Sequence, residues 1–195
     1  MGALVVAAVT SGHRGREFDR RLYRAVNGRG GSSVDAFFKG ITELGSIWAA
    51  VGAAAVIARD DRSRRAALDG LSAAWAMWAL GQAIKKLYRR PRPYHAMDDA
   101  RLLIAEPRGT SWPSSHPAVL LTFLKVCLAD LDSSGTALAG GVGLAGAVAL
   151  SRVYLGVHYP ADVAGGLLLG KGLAELWGAA VSPRLVPRSA ASGHG

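Results

Sequence analysis

"ALSRVYLGVHYPADVAGG", residues 149–166, carries a serine, an arginine, a histidine and an aspartate through an otherwise apolar passage. On either side lie predominantly apolar blocks, Ala137–Leu155 and Ala161–Val181. Each has about the 20 residues that a helix needs to cross a hydrocarbon core. Three further blocks precede them, Ala36–Ala58, Ala66–Ile84 and Pro117–Leu131, the last of them short for a span. Half of the 195 residues are apolar, and the mean hydropathy of +0.21 averages these blocks with arginine-rich connectors. That alternation belongs to a chain whose solvent is the bilayer. The expected fold is an all-α, polytopic transmembrane helix bundle of about five spans.

Outward from the blocks, "REFDRRLYRAVNGR" at residues 16–29 places Phe18, Leu22, Tyr23 and Val26 at helical spacing among arginines, the pattern of a helix lying in the membrane interface. The organisation expected is an N-terminal segment 1–35 with this interfacial helix, a transmembrane domain 36–182, and a tail 183–195. In the tail, "LVPRS" at Leu185–Ser189 resembles a thrombin-cleavage remnant. The opening "MGALVVAAVTSGH" has no basic residue before its short apolar run, so no signal peptide is expected. A single cysteine, Cys127, excludes an intrachain disulfide and reads as a core residue. The net charge of +9 sits in connectors without interleaved aromatics, so nucleic acid is not the expected partner. Membrane lipids and a phosphorylated lipid are.

Spans that alternate in direction put the second connector, Lys85 to His116, and the fourth, around Gly156–Pro160, on the same side of the membrane. Two distant polar segments can then build one site. In the second connector, Lys85 and Arg92 are cations at a helix end and its turn, stiffened by Pro91 and Pro93. Ser114, Ser115 and His116 open the next helix, where backbone N–H groups can face an anion. In the fourth, Pro160 suits the first turn of the last helix, which places Asp162 where its carboxylate can hold one nitrogen of His158. The other nitrogen is free to attack. A histidine nucleophile needs a held tautomer and a stabilised positive charge, which Asp162 supplies. It also needs cations about the transferring phosphoryl group, which Arg152, Arg92 and Lys85 supply.

Lys85-x6-Arg92-Pro93, Pro113-Ser114-Ser115-His116 and Ser151-Arg152-x5-His158-x3-Asp162 together resemble the three-part signature of the type 2 phosphatidic acid phosphatase family, whose site is shared with vanadium haloperoxidases and glucose-6-phosphatase. The resemblance covers roughly residues 66–181, with Ser115 where the family usually has glycine. It implies a metal-independent phosphohydrolase that works through a phosphohistidine and needs no cofactor. His158 would be the nucleophile and Asp162 its orienting carboxylate. His116 would protonate the leaving oxygen and then activate water. Lys85, Arg92, Ser114, the Ser115 amide and Arg152 would bind the phosphate oxygens. Phosphatidate, phosphatidylglycerol phosphate, a polyprenyl pyrophosphate and a polyprenyl phosphosugar all fit as substrates.

Other polar residues have plainer readings. Lys86, Arg89, Arg90, Arg101 and Arg108 read as headgroup anchors. Asp98, Asp99 and Glu106 lack a metal-ligand pattern and read as a solvated loop. Ser151 reads as packing, Lys171 with Glu175 as an i,i+4 ion pair, and Lys125 as a snorkelling side chain. The glycines of "GGVGLAGAVA" at residues 140–149, and Gly166 with Gly170, read first as packing inside the bundle and second as homodimerisation surfaces. The rival to an enzyme is a non-enzymatic lipid-phosphate transporter or binding bundle; a haloperoxidase-like oxidant is weaker, since those relatives are soluble. Basic residues gather on the side of the two motif connectors, which places the site of this multi-pass cell-membrane protein on the cytoplasmic face by the positive-inside rule.

Overall fold

The structure, a computed structural model, describes residues 2–182; the tail read at 183–195 lies outside them. The described residues are all-helical. Two N-terminal helices, α1 (Gly2–Ser11) and α2 (His13–Val26), precede a bent pair, α3 (Ser32–Glu43) and α4 (Ile47–Ile57). Four long helices follow: α5 (Asp61–Leu87), α7 (Ser115–Asp130), α8 (Gly135–Tyr154) and α9 (Pro160–Ala180). A single turn, α6 (Pro93–Ala96), lies in the long connector.

Helix starts follow local chemistry. Asp60 accepts from the Arg62 and Ser63 amides while the Ser63 hydroxyl accepts from the Asp60 amide, a reciprocal cap that begins α5. Ser46 and Ser134 cap α4 and α8 from one side only, accepting from Ala49 N and Ala137 N. Pro160 opens α9, where its missing N–H costs nothing.

The block expected as one span, Ala36–Ala58, is instead α3 and α4, bent by 67°. Gly45 lies in the break, and a Cβ there would stand 2.7 Å from Val148 Cγ1 and 2.8 Å from His116 Cβ. The bend is thus pressed against the start of α7, and only a residue without a side chain permits the approach. By length and hydropathy, α8 passes alone among the described residues as a bilayer-crossing helix, and α3 with α4 passes as a pair. α7, at 16 residues, is too short to pass, and α5 and α9 do not pass either.

α7 is the central helix, packed on α5, α8 and α9. Between α4, α5 and α7 the core is Ala50, Ala54, Ala74, Met77, Val119 and Phe123. The contact of α7 with α9 is closer. A Cβ on Gly166 would stand 2.3 Å from the Ser114 carbonyl oxygen, and one on Gly170 would stand 2.6 Å from that of Ala118. Thr122 adds an interhelical hydrogen bond to Gly170 O at 3.1 Å. The other glycine stripe is divided: Gly141 is buried, and a Cβ there would stand 3.5 Å from Leu124 and Leu128 of α7, whereas Gly140, Gly143 and Gly146 face open space.

The apolar face of α2 is divided. Tyr23 is buried against Tyr159, whereas Phe18 and Leu22 point outward. Cys127 is buried. Lys171 pairs with Glu175 at 2.5 Å as the spacing predicts, and Lys125 comes to 3.9 Å from the same carboxylate.

Candidate active site

α8 ends at Tyr154, and the chain must reverse within a few residues to begin α9. Gly156 makes the turn at φ +88°, and a Cβ there would stand 2.1 Å from the Arg101 carbonyl oxygen. The Val157 and His158 amides both donate to Arg152 O at 3.2 Å, which folds His158 back beneath the helix end. His158 is 2% exposed. Burial, reinforced by the charges of Arg92, Lys85 and Arg152, holds its imidazole well below the usual histidine range, so the ring is neutral.

The two ring nitrogens face different chemistry. Nε2 lies 3.4 Å from Arg92 Nη1, and a guanidinium only donates, so Nε2 carries the lone pair. Nδ1 lies 3.6 Å from Asp162 Oδ2, longer than the hydrogen bond expected from the spacing. Asp162 is already engaged. Its Oδ2 accepts from the Ser111 hydroxyl and from Tyr159 N, the latter at 2.8 Å, and its Oδ1 accepts from Arg90 Nη1 at 2.7 Å. Arg92 is equally fixed, donating to Gly109 O at 2.9 Å, Val157 O at 3.0 Å and Arg108 O at 3.3 Å.

The second connector closes onto this turn. Ser114 N donates to Asp162 O at 3.0 Å, which sets the start of α7 beside the start of α9. His116, the second residue of α7, is under the electrostatic influence of Arg152, His158, Lys85 and Arg92. Lys85, in the last turn of α5, feels Arg92, Arg152 and Asp162. Arg152 donates from Nη1 to Thr42 Oγ1 at 3.0 Å, while its Nε is buried without a hydrogen-bond partner. The hydroxyls of Ser114 and Ser115 are buried and unpartnered as well. Unmet buried polar atoms each cost about 1–3 kcal/mol, so a group of them beside fixed cations is suited to an anion with several acceptor oxygens. The structure thus brings together Lys85, Arg92, Ser114, Ser115, His116, Arg152, His158 and Asp162. The Ser115 hydroxyl faces α5, 3.0 Å from where a Cβ on Gly81 would stand.

Some residues escaped the sequence reading. Arg90 is no headgroup anchor. Its side chain is 10% exposed, bridges Asp162 to Asp19 and lies 4.2 Å over the Tyr159 ring. Arg101 is exposed and donates to Gly28 O. Ser111 and Thr42 hold Asp162 and Arg152. Asp19 left one legible sign: it precedes the buried Tyr23 by one helical turn, an acid on an inward face. Asp99 pairs with Arg24 at 2.7 Å and Glu106 with His95 at 3.1 Å, which makes both parts of the connector's surface. Ser151 returns its hydroxyl to Val148 O at 2.7 Å, a packing role.

The family model of the PAP2 superfamily matches residues 66–184. The chain is 38% identical over 109 residues to the decaprenylphosphoryl-5-phosphoribose phosphatase of Mycobacterium tuberculosis, a match covering 56% of this chain and 58% of that one. It is 26% identical over 159 residues to the undecaprenyl-diphosphatase of Sulfolobus acidocaldarius, covering 82% and 76%. The match to the mycobacterial protein therefore spans less than two thirds of its length. In fold the chain is similar to the crystal structure of a transmembrane PAP2-type phosphatidylglycerolphosphate phosphatase from Bacillus subtilis, with a TM-score of 0.74, 24% identity and 89% of each chain covered.

Proposed function

Because the chain belongs to the PAP2 superfamily, we propose that it is a multi-pass membrane phosphatase of lipid phosphates, acting through a phosphohistidine and without a metal ion. The observation that carries this reading is the meeting of His158 with Arg92, Lys85, Arg152 and the unpartnered donors of Ser114 and Arg152. His158 Nε2 attacks phosphorus, and the bond from phosphorus to the lipid oxygen breaks as His116 gives that oxygen a proton. Asp162 faces the Nδ1 proton and offsets the positive charge of the phosphorylated ring. Lys85, Arg92, Arg152 and the amide of Ser115 hold the three equatorial oxygens, where fixed cations take the part that a metal plays elsewhere. Water then attacks phosphorus, His116 takes its proton, the N–P bond breaks, and inorganic phosphate leaves.

The names of the mycobacterial and archaeal relatives favour a polyprenyl-linked phosphate or pyrophosphate over a glycerolipid. Five spans, counting α3 with α4 as one, bring the two motif connectors to a single membrane face. The test is to quench single turnovers of phosphorus-labelled farnesyl pyrophosphate and phosphatidate in the presence of a chelator. Wild-type protein is expected to hold an acid-labile, base-stable label, and His158→Ala none. Turnover by His158→Ala at the wild-type rate would sink the assignment. Binding of both lipids with no turnover by wild-type protein would favour the transporter reading.

A further inference from the structure

We propose that Asp19 and Arg90 are positioning residues for the Asp162–His158 pair, an inference that rests on His158 being the nucleophile. Three segments distant in sequence supply an alternating row of charges: Asp19 on α2, Arg90 after α5, and Asp162 on the first turn of α9. Arg90 Nη2 donates to Asp19 Oδ2 at 2.6 Å and Nη1 to Asp162 Oδ1 at 2.7 Å. The side chains are 3%, 10% and 0% exposed in that order along the row. Asp19 Oδ1 also accepts from Ala161 N at 2.9 Å, so α2 is fastened to the helix end that carries Asp162.

Each contact acts on Asp162 in a definite way. A planar guanidinium seated on the Tyr159 ring can meet both carboxylates at once, and it fixes the Asp162 carboxylate with Oδ2 turned towards His158. Sharing matters as much as position. An arginine paired with Asp162 alone would neutralise it, and the imidazole would lose the anion that stabilises its charge after attack. Asp19 takes part of that pairing, so the charge of Arg90 is shared and not spent on Asp162 alone, beside a pocket crowded with Lys85, Arg92 and Arg152. None of these steps touches the substrate, so loss of Asp19 acts on the chemical step and spares phosphate binding.

The experiment uses full-length protein in lipid nanodiscs and quenched single turnovers with labelled phosphatidate and labelled farnesyl pyrophosphate. It reads the rate of label formation per site labelled, which does not depend on the folded fraction. Asp19→Asn keeps an acceptor for Ala161 N but loses the charge. It is expected to slow labelling about tenfold or more, with the half-saturating substrate concentration within about twofold of wild type. Arg90→Lys, which cannot span both carboxylates, is expected to fall likewise, and Asp19→Glu to recover part of the rate. A merely structural role would lower the number of labelled sites and leave the rate per site unchanged, and that result overturns the proposal. So do wild-type rates in both Asp19→Asn and Arg90→Lys. If wild-type protein takes no label from either lipid, the phosphohistidine reading itself fails and the positioning role falls with it.

Discussion

Ser115 and Gly81 share one small volume. The serine hydroxyl points at α5, where the missing Cβ of Gly81 leaves room for it. Gly81→Ala would bring a methyl to 3.0 Å of that hydroxyl, and because the hydroxyl is held by no partner it can rotate away from α5, on the residue whose amide is proposed to hold phosphate. Turnover by Gly81→Ala is therefore expected to fall about threefold to tenfold, with stability changed by less than about 1 kcal/mol. In a Ser115→Gly background, which should retain wild-type turnover, the same substitution is expected to be silent. Steady-state rates of the four proteins in this double-mutant cycle check it. Residue roles were legible where the chemistry is local. Arg152, His158 and Asp162 fall within one stretch whose turn signals place them. Arg90 gave no such signal, since its partners stand 71 and 72 positions away and only tertiary packing turns it from the surface inward.

Helices obey the same division between local and distant causes. α8 and α9 begin and end within two residues of their apolar blocks, because Ser134 and Pro160 mark their starts. The break between α3 and α4 was hidden by hydropathy, since Gly45 and Ser46 do little to lower the average of an apolar window. Its position is set by His116 and Val148, which no window over residues 36–58 contains. Gly166 stands in a similar relation to α7. A methyl there would meet the Ser114 carbonyl oxygen at 2.3 Å, and a backbone atom cannot swing aside as a side chain can. Gly166→Ala is expected to destabilise the bundle by about 1–3 kcal/mol and to lower turnover by moving Ser114. Gly146→Ala, on the open face of α8, is expected to leave both within about 0.5 kcal/mol and twofold of wild type. Unfolding in mixed micelles, paired with rates of phosphate release, separates the two.

Across the whole molecule, the charge of the two motif connectors, read with the positive-inside rule, leads us to propose that the site faces the cytoplasm. Cys127 is buried, which leaves a cysteine placed at the half-exposed Asp99 as the reactive thiol. Asp99→Cys in sealed, right-side-out vesicles is expected to resist a membrane-impermeant maleimide until the vesicles are opened; labelling before that would reverse the orientation. The all-helical class and the order of the long helices were legible from the apolar blocks, but the packing of α1 beside Trp112 was not, since its ten residues are too few to read as a span. The clasp made by Asp19 adds a dimension of time. Its partners are residues 90 and 161, and the second is 142 positions further along the chain. At about 5–20 residues per second of synthesis, Asp19 exists for roughly 7–28 seconds before Ala161 does. Through that interval α2 must keep its carboxylate and arginines hydrated, which a helix lying along the membrane surface allows. The clasp cannot close until α9 has begun, so α2, made long before α9, is among the last of the helices to take its final place.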